Sequence, residues 1–321
     1  MSANEYILNE LNQLKKPFGL AVPKTDSEME DEIVRLIMSQ KFRNNAANDE
    51  TKAHVREAVR RSVSQKAPIN FVWPGNYWKL WRLDEAPEAD FAELFAFMYF
   101  TEYLKRICEI YKPGVWFDFF SDDLIITKLN NYKRPDIEKH EASVRRIIEF
   151  LRPYQPDNLK FTTTPVLSQF KNEGDFWQAV DRNLEKIKQG PPRVITDRER
   201  SAMNLNVRLL PGQIDDPLWR DKVIHLHDAY LIAKAEPKYH KNNPDKIGLF
   251  ANALPGFIGI GVTKLSVIRL GVGAGVLVRK GDSFGMTVMS KNQIDNAKFE
   301  WQPVNLPGLA GKNFSKIRVI A

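Results

Sequence analysis

The sequence predicts an α/β fold with a mostly parallel sheet, because strand-like and helix-like segments alternate along its central part. The strand-like segments are short apolar runs at 68–74, 114–126 and 159–164. Helical spacing of apolar residues follows each run, at about 89–111, 136–151 and 175–189. Helices of this length between strands are typical of βαβ units, in which the strands run parallel. The predicted core is therefore Rossmann-like.

The regions on either side of this core do not continue its alternation of strands and helices. Helical spacing at 3–16 and 26–65, with Ser27 and Glu30 in capping-box spacing, predicts an N-terminal helical cap over residues 1–66. Further helical patterns at about 197–207 and 217–239 complete a core of residues 67–244. Short β-rich pieces punctuated by glycine then occur at 247–250, 265–270, 275–279 and 284–289, with a predicted hairpin turn at Lys280-Gly281-Asp282. We expect residues 245–321 to be a β-rich antiparallel extension of the core; a separate lobe is the alternative.

Composition narrows the class of protein. With 43% hydrophobic and 27% charged residues, the chain has the balance of a soluble globular protein. Its one cysteine, Cys108, lies in a helical apolar pattern, so the sequence contains no disulfide framework and no CxxC metal site. The N-terminus lacks a basic-then-apolar signal, and no apolar run approaches the ~20 residues that cross a bilayer. We expect a cytoplasmic protein without a membrane partner.

An acidic tip follows the second predicted strand, at Ser121-Asp122-Asp123. In open α/β sheets ligands bind at the carboxyl ends of the strands, so Asp122 and Asp123 are candidate catalytic residues and Ser121 is a candidate substrate contact. Asn130, a few residues later, is a candidate for further polar lining. The alternative for each aspartate is a helix cap or a turn.

A loop rich in aromatic and basic residues follows the first predicted strand. Trp78, Lys79 and Arg82 combine aromatic faces with cations, which suits a planar or anionic ligand such as a phosphate or an aromatic amino acid. Single-stranded nucleic acid would use the same combination. The net charge of +7 is compatible with each of these ligands. The alternative is that the tryptophans fill the gap between the helical cap and the sheet.

Histidines and glycines elsewhere suggest weaker candidates. His225 and His227 lie two residues apart in a helical pattern and face apart, so we expect an acid, a base or a hydrogen-bond donor there, and no metal site. The glycine-rich stretches 259–264 and 271–275 match neither a Walker loop nor a dinucleotide fingerprint, and we expect no nucleotide cofactor. Lys264 and Arg269 are candidate phosphate contacts, provided that a turn brings them to one side.

Taken together, some of these residues resemble a known family. The segment from Pro68 to Glu93, followed by Ser121-Asp122, resembles the isonitrile (isocyanide) synthases of the pyoverdine and dityrosine biosynthesis family. In that family one strand ends in Phe-Pro-x-Lys-Ser, Pro-Asp precedes a long helix, and a later strand ends in Ser-Asp-Gly. Trp73-Pro74, Ala89-Asp90 and Ser121-Asp122-Asp123 occupy the three places here.

The chain also departs from the family's pattern. Asn76-Tyr77 replaces Lys-Ser, and the nearest lysine is Lys79, three residues later. Asp123 replaces the glycine that follows Ser-Asp. The resemblance covers about the central half of the chain.

The resemblance implies a Rossmann-like enzyme that needs no metal or organic cofactor and performs transferase or lyase chemistry in secondary metabolism. It condenses the amino group of an amino acid, commonly tyrosine or tryptophan, with a pentulose phosphate whose carbonyl carbon becomes the isonitrile carbon. Lys79 and Arg82 would bind the phosphate, and Asp122 would act as acid or base. The expected partners are these small molecules, and a homo-oligomer is compatible with the sequence. Two alternatives stay open: a basic protein that binds single-stranded nucleic acid, and a catalytically inactive relative that binds a partner protein.

Overall fold

The computed structural model describes residues 1–39, 47–74, 79, 83–121, 124, 126–127, 132–191, 194–197, 217–235, 243–250, 256–266 and 273–321. Its α-helices are α1 (Ala3–Leu14), α2 (Asp26–Ile37), α3 (Asp49–Gln65), α4 (Phe91–Ile110), α5 (Arg134–Leu151), α6 (Glu173–Gln189), α7 (Pro217–Ala235) and α8 (Lys291–Asp295). Its strands are β1 (Ile69–Pro74), β2 (Val115–Ser121), β3 (Leu159–Pro165), β4 (Lys246–Phe250), β5 (Phe257–Gly259), β6 (Gly273–Lys280), β7 (Ser283–Ser290), β8 (Phe299–Pro303) and β9 (Lys316–Ile320). Short 3-10 helices lie at Arg152–Tyr154, Val166–Gln169 and Lys312–Phe314. The predicted helix at 197–207 and the predicted strand at 265–270 fall mostly outside the described residues.

Five strands form a parallel sheet in the spatial order β3-β2-β1-β4-β5. The chain moves outward from β1 to β3 and then returns to the other side of β1 for β4 and β5. β1 and β2 pair from Ile69 with Val115 to Pro74 with Phe120. The predicted α/β fold with a parallel sheet is therefore confirmed. The expectation of antiparallel pairing at 247–250 is wrong, because β4 pairs in parallel with both β1 and β5.

Helices cover both faces of this sheet, which explains the nearly continuous apolar sequences of its strands. On one face, aromatic residues of the strands pack against α4, and the ring centroids of Phe97 and Phe119 lie 4.7 Å apart. On the other face, Val72 and Phe120 form a buried cluster with residues of α6 and α7, including Phe176.

α4 lies between the parallel sheet and the second sheet, and contacts strands of both. Seventeen of its 20 residues are buried, as expected for a helix that is apolar on all sides. Gly275 of β6 permits the close approach of the helix N-terminus, since a Cβ at this position would lie 2.4 Å from the backbone carbon of Phe91.

The C-terminal strands form a second sheet in the order β7-β6-β9-β8. The pairs β6–β7 and β8–β9 are antiparallel, as the sequence predicts, and the β6–β7 hairpin turns at the predicted position. β6 and β9 pair in parallel, so this sheet is mixed and the expectation of a purely antiparallel arrangement is wrong.

The N-terminal region is helical, as predicted, but its capping box differs. The cap of α2 is Thr25, whose side chain accepts from the backbone of Glu28 while Glu28 accepts from the backbone of Thr25. The true box therefore lies two residues before the predicted one at Ser27 and Glu30. The two pairs have the same spacing, so spacing alone does not distinguish them. Over the residues that the structure describes, no helix is long and apolar enough to span a membrane.

Candidate functional site

The motif segments that carry the family resemblance meet at one edge of the parallel sheet. β1 ends at Pro74 and β2 ends at Ser121, and the register pairs Pro74 with Phe120. The loops that leave these strands therefore start side by side, at the carboxyl edge where open α/β sheets bind ligands. The sheet order also places the topological switch point here, between β1 and β4.

Many of the predicted site residues belong to these loops. Asp122, Asp123, Asn130, Trp78, Arg82 and Arg269 lie outside the described residues, and of Ser121 only the backbone is described. Their roles stay predictions.

Lys79 is the described member of the loop after β1, and it is completely buried. Its ammonium donates to the carbonyl of Gly273 at 2.6 Å. It also lies 2.8 Å from Asp90 Oδ1 and 2.9 Å from Glu93 Oε1. The Glu93 contact is an ion pair and not an aligned hydrogen bond, because Oε1 accepts no bond of proper geometry. Three oxygen atoms thus surround the ammonium.

The N-terminal end of α4 fixes the positions of the Asp90 and Glu93 carboxylates. Asp90 is the N-cap, and Glu93 occupies the third helical position of a capping box. Asp90 Oδ1 accepts from the backbone N–H of Ala92 at 2.8 Å, and its Oδ2 accepts from that of Gly275 at 3.0 Å. Glu93 Oε2 accepts from the backbone N–H of Asp90 at 2.8 Å. Lys79, Asp90 and Glu93 therefore connect the loop after β1, the start of α4 and the first residues of β6. We call these three residues the buried ion cluster.

Within the buried ion cluster, burial favours the neutral form of each side chain, whereas an oppositely charged partner favours the charged form. For Lys79, burial acts to lower the pKa, but the carboxylates of Asp90 and Glu93 outweigh it and the pKa is raised. For Glu93, burial raises the pKa, and the nearby ammonium of Lys79 opposes this only in part. The cluster holds its charges only as long as all its members are present.

α5 and the segment before it support the cluster from a second side. The Tyr132 hydroxyl donates to the backbone carbonyl of Lys79 at 3.0 Å. His140 Nδ1 lies 2.9 Å from the carbonyl of Pro87, and the hydroxyl of Ser143 accepts from the N–H of Ala89 at 2.8 Å. Burial, together with the charge of Lys79, lowers the pKa of His140 to about 3, so this imidazole is neutral at neutral pH. It is a structural part of the cluster's support.

A cavity of about 220 Å³ adjoins the buried ion cluster on the side of the second sheet, and Asp90 lines it. Arg318 forms an ion pair with Glu85 in its wall, and the guanidinium lies 4.4 Å from the centre of the Trp301 ring. Both charged side chains are more than nine-tenths buried. Glu85 Oε2 and Arg318 Nε have no hydrogen-bond partner among the described residues. No local pattern in the sequence indicates this pair, because its members are 233 residues apart in the chain.

The other described candidates belong to other elements of the fold. His225 and His227 lie on α7, and both are half-buried. No group of three or more metal-binding side chains occurs within the described ranges. Lys264 forms an ion pair with Glu102 at 2.8 Å, in a groove along the opposite flank of α4.

A buried carboxylate that sequence reasoning missed lies in the middle of β2. Asp118 Oδ1 accepts hydrogen bonds from the hydroxyls of Thr162 at 2.6 Å and Thr164 at 2.7 Å. Burial raises the pKa of Asp118, while these bonds and the charge of Lys246 lower it. The sequence does contain one indication of this residue, because Asp118 is the one charged residue among the apolar residues 115–120.

A comparison with solved structures finds a similar fold in the crystal structure of the PvcA protein from Pseudomonas aeruginosa. The match has a TM-score of 0.54 and 14% sequence identity, and it covers 91% of this chain and 100% of that chain. At this identity the likeness shows a shared fold. No protein-family model matches the sequence, and a search of curated proteins finds no match.

Proposed function

We propose that the protein is a biosynthetic enzyme of the isonitrile-synthase type, which condenses an amino acid's amino group with a pentulose phosphate, or a divergent relative with altered substrates. The observation that carries the proposal is the end-to-end fold match with PvcA, combined with the place of the family-like motifs. Trp73-Pro74, Asp90 with Glu93, and Ser121 come from distant parts of the sequence. They belong to two adjacent strand ends and to the start of the helix between them.

The proposed roles follow from position along the carboxyl edge. Asp122 serves as acid or base for imine formation, with Asp123 beside it in sequence, and Ser121 and Asn130 contribute polar lining. Trp78 contacts the amino acid side chain.

Cationic and imidazole groups complete the proposed site. Arg82 and Arg269 bind the phosphate. His225 and His227 are further candidates for proton transfer. Neither a metal nor an organic cofactor takes part in the proposed reaction.

Lys79 receives a different role from the one that its sequence position suggested. Its ammonium contacts Gly273, Asp90 and Glu93, and its side chain is fully buried. We therefore propose that it positions the loop after β1 and does not contact phosphate itself. This also accommodates its displacement by three residues from the family's lysine.

The direct test is turnover with tyrosine or tryptophan and ribulose 5-phosphate labelled with ¹³C at the carbonyl carbon. Mass spectrometry should show a product that retains the amino acid's nitrogen and one labelled carbon. Loss of neither substrate with both amino acids would refute the literal reaction. Saturable binding of the amino acid without turnover would favour the inactive relative.

Asp122→Asn tests the central assignment. Removing a general acid or base should lower kcat by about 10²–10⁴-fold while the Tm stays nearly unchanged. The matched control is Asp157→Asn, since Asp157 is exposed just before β3, at the opposite edge of the sheet. A large fall in Tm for Asp122→Asn would instead mark that carboxylate as structural.

A further inference from the structure

A second cavity, of about 500 Å³, lies along the flank of α4 that faces away from the parallel sheet. α1, the β6–β7 hairpin and residues 263–265 form its other walls, and we call it the α1–α4 groove. Phe97 and Phe100 of α4 contact the aromatic residues of β2, whereas Phe95 and Tyr99 line the groove. Its volume falls within the range of sites that enclose small molecules.

Two carboxylates of the groove lining, those of Glu10 and Glu102, interact electrostatically with the ammonium of Lys264. Glu102 pairs with Lys264 at 2.8 Å, and the lysine side chain is 53% exposed while that of Glu102 is 18% exposed. Glu10, across the groove on α1, is half-buried and has no hydrogen-bond or ion-pair partner among the described residues. Burial raises the pKa of Glu10, the charge of Lys264 lowers it, and that of Glu102 raises it further. The two glutamates and Lys264 therefore act on one another directly.

Aromatic residues form the walls next to these carboxylates. The rings of Tyr6 and Phe284 have centroids 5.6 Å apart, and Tyr99 completes the lining. Aromatic faces beside carboxylates favour a cation that carries an apolar body.

Three further lysines belong to the lining. Lys105 donates to the carbonyls of Gln13, Leu14 and Lys16 at 3.2, 3.1 and 3.0 Å, so its charge is engaged with the C-terminal end of α1. Lys16 and Lys280 are exposed, so solvent and salt screen their charges.

We propose that the α1–α4 groove binds a small apolar primary amine, whose ammonium lies between Glu10 and Glu102 and whose apolar body packs on the aromatic walls. Lys264 already pairs with Glu102 through its own ammonium, and this half-exposed side chain is displaced when the amine binds. This proposal does not depend on the function proposed for the carboxyl edge of the sheet.

Calorimetric titration with 2-phenylethylamine tests the proposal, with 2-phenylethanol and 3-phenylpropionate as uncharged and anionic comparators. The amine should bind more tightly than either comparator. Glu10→Gln should weaken amine binding about tenfold or more, because a charge-assisted hydrogen bond is lost. Lys264→Ala should tighten amine binding about two- to fivefold, because the partly exposed ion pair between Lys264 and Glu102 no longer competes with the amine.

Lys298→Ala is the matched control for the lost charge, because Lys298 is exposed and lies outside the groove lining. It should leave the affinity for the amine unchanged. Three results would overturn the proposal: no binding of the amine, equal or tighter binding of the alcohol or the acid, and weaker amine binding in Lys264→Ala. A Tm measured for each variant separates a lost contact from lost folding, and Glu102→Gln provides a second carboxylate variant.

Discussion

Replacing Lys79 by methionine tests whether the buried ion cluster holds the start of α4 in place. The substitution keeps an unbranched side chain of similar length and removes the charged ammonium together with its N–H donors. It leaves the carbonyl of Gly273 without its donor and leaves two carboxylates without their cation. We expect the free energy of unfolding to fall by about 3 kcal/mol at neutral pH.

The magnitude follows from what each carboxylate retains. Removing one partner of a buried ion pair costs about 3–5 kcal/mol. The low end applies here, because Asp90 keeps its bonds from Ala92 and Gly275, and because burial already raises the pKa of Glu93 and makes its protonation easier. The double variant Lys79→Met/Glu93→Gln avoids the free-energy cost of protonating Glu93 at pH 7 and should recover about 1–2 kcal/mol, within the range of couplings between contacting residues.

Urea unfolding at pH 7, followed by circular dichroism, measures these differences. Lys298→Met is the control, since exposed substitutions usually change stability by no more than about 0.5 kcal/mol. A loss below about 1 kcal/mol for Lys79→Met would refute the reasoning, because such a loss is typical of an exposed ion pair. A double variant no more stable than the single one would show that Glu93 is not the uncompensated group.

Two further predictions concern the surroundings of the cluster. His140 has a pKa lowered from 6.5 to about 3 by burial first, then by Lys79, so the folded state binds fewer protons than the unfolded state between these values. Its contribution to stability is present above pH 6.5 and is lost as the pH falls towards 3. His140→Gln should flatten this part of the curve of urea midpoint against pH, and an unchanged curve would contradict the assignment. Gly275→Ala should cost about 1–3 kcal/mol in thermal unfolding, because the new Cβ meets the backbone of Phe91 at 2.4 Å. Gly190→Ala is the control, with its nearest contact at 3.4 Å, and equal effects at the two glycines would contradict the packing argument.

The local patterns of the sequence predict most of the helices and strands, because each element is specified by its own residues. α4, α5 and α6 lie where the apolar spacing places them, and β1 to β3 alternate with them. Strand partners are not local. β4 pairs with β1 across more than 170 residues, and β5 is only three residues long, so no pattern in residues 245–259 indicates the parallel sheet.

The same limit applies to the candidate site. The position of Lys79 after a strand suggested a phosphate contact, but its ammonium is bound by Gly273, 194 residues away in the chain. Asp90 and Glu93 were visible only as parts of a family-like motif, and the capping box that joins them could have been predicted from the Asp-x-x-Glu spacing. Long-range contacts decide which charged residues are buried, and the sequence does not contain them explicitly.

The position of α4 between two sheets has a consequence for how the protein unfolds. Residues of both sheets, such as Phe71 of β1 and Leu277 of β6, belong to one continuous apolar cluster with this helix. Detaching either sheet would expose a long apolar flank of α4 to water, so neither can open alone at low cost. The backbone amides of α4 should therefore be among the last to exchange with solvent deuterium, and should exchange only when the two sheets come apart together.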